Sequence, residues 1–207
     1  MQPGNKKNHG PKSFKRILLL LALTVILFLP QLCLAAMDEG RVRAAVIFHI
    51  ITLTQWPEPK IPPDQPPHII VLGEDPEGIA TILTNKSQDS TTANKSILRV
   101  TSLPSLDEAT VFNNMLADCQ VLYLTQDGLR FLPQIRSLVH KRPILTIGET
   151  EEFCQNDTGM ICLTIKAQKL AIQINHKLTS GIGFHFSAEL LRHTVLIENG
   201  GAQNALP

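Results

Sequence analysis

The chain is 207 residues long and poor in several things: one tryptophan, one tyrosine, four cysteines, and no apolar run of transmembrane length. The longest such run, Ile17 to Leu29, is 13 residues, against the ~20 a helix needs to cross a bilayer. With so few aromatic rings beside many Ile, Leu and Val, the core is expected to be aliphatic. Sequence signatures of catalysis are missing too. Ser180-Gly181-Ile182-Gly183 lacks the Gly-x-Ser-x-Gly order that lifts a serine onto a sharp strand-to-helix turn. Gly73 and Gly78 bracket Glu74 to Glu77, but neither a phosphate-loop Lys-Ser/Thr nor a three-glycine dinucleotide fingerprint accompanies them. The histidines at 49, 68, 140, 176, 185 and 193 form no helical zinc pair and no His-Glu-x-x-His. No catalytic residue, cofactor or metal ligand is therefore expected, although side chains that converge only in the fold escape such a search.

What is present begins with the leader. Lys12, Lys15 and Arg16 precede the apolar run, Pro30 breaks it, and Cys33-Leu34-Ala35-Ala36 offers the small side chains a signal peptidase reads. The chain is expected to be exported, with residues 1–35 as signal peptide. A retained membrane anchor is the alternative, disfavoured by the short run. Acylation at Cys33 is a third reading, set against Leu32, where a small residue is expected. All five basic residues of the leader leave with it and no acidic one does, so 14 Lys and Arg then face 18 Asp and Glu, a net charge of −4. An acidic surface with scattered basic residues gives no grip on a phosphate backbone, which argues against nucleic acid as a partner.

About 170 residues remain, enough for one domain with a full core. Of the remaining cysteines, Cys154 and Cys162 bracket Gln155-Asn156-Asp157-Thr158-Gly159, a run of turn formers that can fold back as a hairpin and bring the sulfurs together. They are expected to pair, in a compartment where disulfides persist. Cys119, before the apolar Val121-Leu122-Tyr123-Leu124, reads as a small buried hydrophobe.

Along the mature chain, Val42, Ala45, Val46, His49, Ile50 and Leu53 recur at helical steps, predicting a helix from Asp38 that ends at Trp56-Pro57. After a proline-rich loop, His68 to Leu72 reads as a strand buried on both faces. Helices are expected at 77–83, 107–116 and 129–139, and strands at 96–101, 121–124 and 144–147. Met160 to Ile165 and Leu170 to Ile174 follow as an antiparallel pair, Ser187 to Ile197 as a last helix, and 199–207 as a mobile tail. Repeated strand-helix-strand units imply right-handed crossovers and hence an α/β three-layer sandwich over 36–198. Its sheet is mostly parallel, with an antiparallel hairpin at the edge and helices on both faces. A ligand pocket in such a sheet is expected beyond the carboxyl ends of the strands, near Gly73, Glu74, Asp75 and Thr125. The plainer reading of these residues is a strand-to-helix turn, and the charges of Glu74, Asp75 and Glu77 suit the start of a helix. Glu149, Glu151 and Glu152 read as a solvated turn.

Several blocks taken together resemble the YfiR family of periplasmic proteins. They are Arg43-Ala44-Ala45 leading through Phe48 to Trp56-Pro57, then Ile70 to Pro76 with Gly78, then Cys119 to Tyr123. Further on come Pro143 to Ile147 with Phe153, Gly159-Met160-Ile161, Ile174-Asn175 and Leu190-Leu191-Arg192. Their order and spacing cover nearly the whole mature chain. Glu77 stands where the family pattern usually has an apolar residue, and His193 where a small or apolar one is common. The resemblance implies a non-catalytic repressor that binds the periplasmic portion of an inner-membrane diguanylate cyclase, or of another membrane sensor, and so controls cyclic di-GMP and biofilm growth. It implies contact with the membrane only through that partner, and leaves a homodimer possible. Phe153, Met160 and Ile161, beside the Cys154–Cys162 bridge, are the expected partner-binding residues, with the bridge as a redox switch. A periplasmic small-molecule carrier, or an accessory domain for a sensor kinase or transporter, is the alternative reading.

Overall fold

The computed structural model describes residues 38–57, 65–89, 97–106, 109–140, 142–166, 169–198 and 201–202. The chain divides into two units, 1–38 and 39–207. The expected leader, the proline-rich segment 58–64 and the residues of the expected tail other than 201–202 lie outside the described residues. The described helices and strands all belong to the second unit.

The first helix, α1 (Glu39–Leu53), runs into a two-residue strand β1 (Thr54–Gln55). The central alternation comes next: β2 (His68–Leu72), α2 (Ile79–Asp89), β3 (Arg99–Leu103), α3 (Ala109–Leu116) and β4 (Val121–Leu124). A 3-10 turn (Asp127–Phe131) then leads into α4 (Leu132–Val139), whose Pro133 sits in the first turn, where its missing N–H costs no bond. Beyond it lie β5 (Leu145–Gly148), α5 (Glu151–Gln155), β6 (Ile161–Lys166), β7 (Lys169–Asn175) and α6 (His176–Ile182). The chain closes with β8 (His185–Phe186), α7 (Ala188–Leu191), β9 (Thr194–Glu198) and β10 (Gly201–Ala202). Pro76 and the capping carboxylate of Asp75 delay α2 to Ile79, two residues past the sequence expectation.

Eight strands form one sheet in the order β10-β9-β7-β6-β5-β4-β2-β3, and β1 pairs with β8 in a small separate ladder. The run β3-β2-β4-β5-β6 is parallel. Strands β2, β4 and β5 are buried at every position, as continuous apolar strands require when both faces are covered. Alternate residues feed two separate cores. Ile69, Val71, Val121, Tyr123, Leu145 and Ile147 pack toward α1, α2 and the β8–α7 region. Ile70, Leu72, Leu122 and Leu124 pack toward α3, α4 and α5. The fold is the expected α/β sandwich of helix, sheet and helix.

Three expectations are corrected. The segment 187–197 is not one helix: Ser187 caps the single turn of α7, and the β-branched and aliphatic Thr194 to Ile197 then form β9, parallel to β7. The β6–β7 hairpin is antiparallel as expected but lies inside the sheet, because β9 extends it. The buried face of α1 is Gly40, Arg43, Ala44, Ile47, Ile50 and Ile51, with His49 exposed. The predicted stripe is rotated from this face because periodicity assigns Arg43, a charged residue, to solvent. Replacing Ile70 (0% exposed) by alanine is expected to cost about 2–5 kcal/mol in denaturant unfolding. At Ile165, the one exposed large hydrophobic residue among those described, the same change should stay within about 1 kcal/mol.

Candidate functional site

The strand order turns at β2: the chain passes from β2 outward to β3, then returns across β2 to β4. Loops after β2 and β4 therefore diverge and leave a crevice at the carboxyl ends of the strands. A cleft of about 360 Å³ lies there, lined by Glu74, Asp75 and Glu77 after β2, Thr125, Gln126 and Asp127 after β4, and Glu149 after β5. Three of the four residues expected at a pocket line it. The fourth, Gly73, supports it from behind. Its φ is +102°, and a Cβ would lie 2.3 Å from the nitrogen of Gly128, so the two loops meet backbone to backbone.

The lining side chains are largely committed to one another. Asp75 Oδ1 and Oδ2 each accept from a backbone N–H of the first turn of α2, Ile79 and Ala80, both at 2.8 Å, which is the helix-start role expected for these charges. Thr125 is buried. Its hydroxyl donates to the carbonyl of Leu72 at 3.2 Å and accepts from Gly128 N–H at 3.1 Å. Asp127 Oδ2 accepts from the backbone of Glu74 at 3.0 Å and its Oδ1 from Arg130 at 2.9 Å. No group of three or more metal-ligating side chains occurs among the described residues.

Beneath this rim is a network missed from sequence. Arg43 of α1, 5% exposed, donates to Glu77 Oε2 at 2.5 Å and lies 3.7 Å from Glu149 Oε1. Glu149, read as part of a solvated turn, is only 14% exposed in its side chain. Its carboxylate accepts from the Tyr123 hydroxyl at 2.6 Å and from Gln126 N–H at 2.9 Å. Burial, then the charge of Glu149, pushes the Tyr123 phenol well above its ordinary value, so it remains a donor. The helix can come this close because residue 40 is glycine: a Cβ there would sit 2.6 Å from the carbonyl oxygen of Glu77. A signal did exist, since Glu149 directly follows β5, at the carboxyl end of a buried strand.

The Cys154–Cys162 bridge forms as expected, with Cα atoms 5.9 Å apart. It does not close a hairpin. Cys154 lies in α5 and Cys162 in β6, and both are buried. Phe153, Met160 and Ile161, expected at a docking surface, are 1%, 2% and 0% exposed and face the cores. The loop between the cysteines is held by more than the bridge. Thr146 donates to the carbonyl of Thr158 and accepts from Met160 N–H at 3.2 Å. Asn175 N–H donates to the Met160 carbonyl at 2.8 Å, and its side-chain amide to the Cys154 carbonyl at 3.3 Å. Arg136 pairs with Asp157. A second hollow, about 240 Å³, opens against this loop; Thr158 and Met160 line it together with Lys177, Leu178 and Ile182 of α6. Cys119 is buried, and burial lifts its thiol to about 12, leaving it an inert thiol.

The domain is thus a doubly wound α/β unit with a carboxylate-rimmed cleft at its switch point and a bridged loop beside a mostly apolar hollow. The chain belongs to the YfiR/HmsC-like family, whose model matches residues 40–194. No curated protein matches it. Among solved structures it is similar to an ABC domain from Streptococcus pneumonia in complex with L-Trp, at TM-score 0.50 and 11% identity. That match covers 76% of this chain and 59% of the other. A conserved domain protein from Vibrio cholerae gives TM-score 0.48 at 12% identity, again over 76% and 59%. A substrate binding protein with adhesive properties from Clostridium difficile gives 0.42 at 11%, over 64% and 55%. The chain spans less than two thirds of each, and at these identities the first shows a shared fold alone.

Removing Arg43 would leave Glu77 and the largely buried Glu149 without their shared cation. Arg43→Met is expected to cost about 3 kcal/mol in denaturant unfolding, the scale for breaking a buried pair. Most of that loss should return in Arg43→Met/Glu149→Gln, and strictly additive losses would show that the two side chains do not depend on each other.

Proposed function

We propose that this protein is an exported, non-catalytic regulator that binds the periplasmic portion of an inner-membrane diguanylate cyclase and holds down cyclic di-GMP synthesis. The observation that carries this reading is the family match across almost the whole described domain. Supporting it are a leader with a basic flank, an apolar run and a small-residue exit, and a bridged cysteine pair of the kind that persists outside the cytosol. No helix among the described residues is long and apolar enough to cross a membrane. We place docking at the hollow beside the bridged loop. Met160, itself buried, forms part of its wall, and the mix of Leu178, Ile182 and Lys177 there suits a segment that is apolar at its centre and polar at its rim. Phe153, Met160 and Ile161, buried in the two cores, set the loop's shape rather than present a surface to the partner. A homodimer remains compatible with this arrangement.

The redox role of the bridge narrows accordingly. Both sulfurs are buried and the loop keeps its hydrogen bonds to Thr146 and Asn175 without them, so release by reductant requires the loop to open first.

The cleft favours a second reading, a small-molecule carrier, because it lies where α/β sheets bind ligands. Its carboxylates, however, are mostly engaged within the protein. Thermal-shift screening with nucleotides and amino acids separates the two: a carrier gives a ligand-dependent rise in Tm, the regulator none.

The purified mature protein is expected to bind the purified periplasmic portion of the diguanylate cyclase encoded nearest its gene, by calorimetry. Leu178→Asp in the hollow should weaken that binding at least tenfold with the fold intact by circular dichroism. Absence of binding by the native protein would refute the reading. Reductant that opens the bridge should lower the affinity, and equal affinity with the bridge shown open would remove the bridge from the mechanism.

A further inference from the structure

At the amino-terminal ends of the central strands, away from the cleft, His68 is the one buried histidine among the described residues, 5% exposed. It opens β2 and ties the starts of its neighbours. Its Nδ1 lies 3.1 Å from the carbonyl oxygen of Asp118, in the turn before β4, and its Nε2 lies 2.8 Å from Thr101 Oγ1 on β3. A carbonyl oxygen only accepts, so Nδ1 carries the proton and Nε2 is the bare nitrogen that accepts from the Thr101 hydroxyl. The backbone completes the knot. His68 N–H donates to Gln120 Oε1 at 2.8 Å, Gln120 N–H donates to the His68 carbonyl at 3.0 Å, and Arg99 N–H donates to the Pro67 carbonyl at 2.9 Å.

Two charged groups face the ring: Arg99 from β3 and Asp118 from the turn before β4, which pair with each other. Thr101 and Gln120 are neutral. Burial first, and Arg99 second, lower the imidazole below its ordinary value, while the carbonyl and the charge of Asp118 act the other way. A proton added at Nε2 turns the acceptor into a donor. The Thr101 hydroxyl must then rotate and accept where it donated, and the larger cost is that a second cation enters a buried site beside Arg99, whose guanidinium donates to the same Asp118 carbonyl as the ring.

We propose that His68 is an acid-sensitive pin, which in its neutral form fastens the outer strand β3 and the turn before β4 to the start of β2, and on protonation loosens that end of the sheet. A protein exposed to the outside medium would thereby read its acidity. The sign follows from linkage. The folded state takes up this proton less readily than the opened one, so the stabilisation is complete above about pH 6.5 and is lost as pH falls below it. The loss is at most about tenfold in the opening equilibrium per pH unit.

Hydrogen exchange of the purified protein, read by mass spectrometry and corrected for intrinsic exchange rates, tests this. Between pH 7.5 and 5.5, protection of peptides covering 99–103 and 117–120 is expected to fall severalfold, with the β5 peptide 145–148 unchanged. In His68→Gln the pH dependence of the 99–103 peptide should vanish. Thr101→Val, should the histidine variant fail to fold, is expected to lower protection of the same peptide already at pH 7.5. Unchanged protection of 99–103 across this range, the same acid loss in His68→Gln, or full protection in Thr101→Val would each overturn the proposal.

Discussion

Three strands with no exposed residue, β2, β4 and β5, are the constraint on which the domain depends. A strand apolar on both sides must be covered twice, and the alternation of Ile69 and Val71 against Ile70 and Leu72 assigns the two sides to two different sets of helices. Right-handed crossovers then send the chain outward from β2 in one direction and back across it in the other. The crevice at the carboxyl ends is a by-product of that reversal, present whether or not anything occupies it. At the base of the crevice, before the two loops part, Gly73 and Gly128 let main chain approach main chain.

The electrostatics of the cleft derive from how its loops are held. Asp75 caps a helix, Asp127 ties two loops together, and Glu77 and Glu149 grip the guanidinium that α1 inserts from below. The carboxylate rim is first a piece of construction. The ion pair of Glu77 with Arg43 is a charged tie between α1 and the β2–α2 turn. The Arg43 Nε is buried without a partner, so this tie holds the helix in place at a desolvation cost.

The parallel core was legible in the sequence because continuous apolar runs between turn formers can mean little else, and the pocket candidates came from topology alone. Residues that combine burial with charge were not legible. Arg43, Glu149 and His68 each carry a polar group into the interior, and periodicity assigns such groups to solvent until their partners, distant in sequence, are known. The end of the chain misled for another reason. Ser187 does start a helix, but a single turn of it, and the β-branched Thr194-Val195 then join β7 through pairing that no local pattern announces. The bridge was foreseen from turn residues, yet it joins a helix to a strand rather than two strands, since Thr150 caps a short helix inside the expected loop.

A rigid doubly covered sheet thus presents two surfaces, a partnered acidic cleft and a mostly apolar hollow beside a bridged loop, and the second suits the docking role that family membership suggests. The most direct measurement is cellular cyclic di-GMP in cells with the gene, without it, and with it restored. Deletion is expected to raise the second messenger severalfold and restoration to return it, while deletion of the cyclase should abolish the difference. Equal levels with and without the protein would contradict the account.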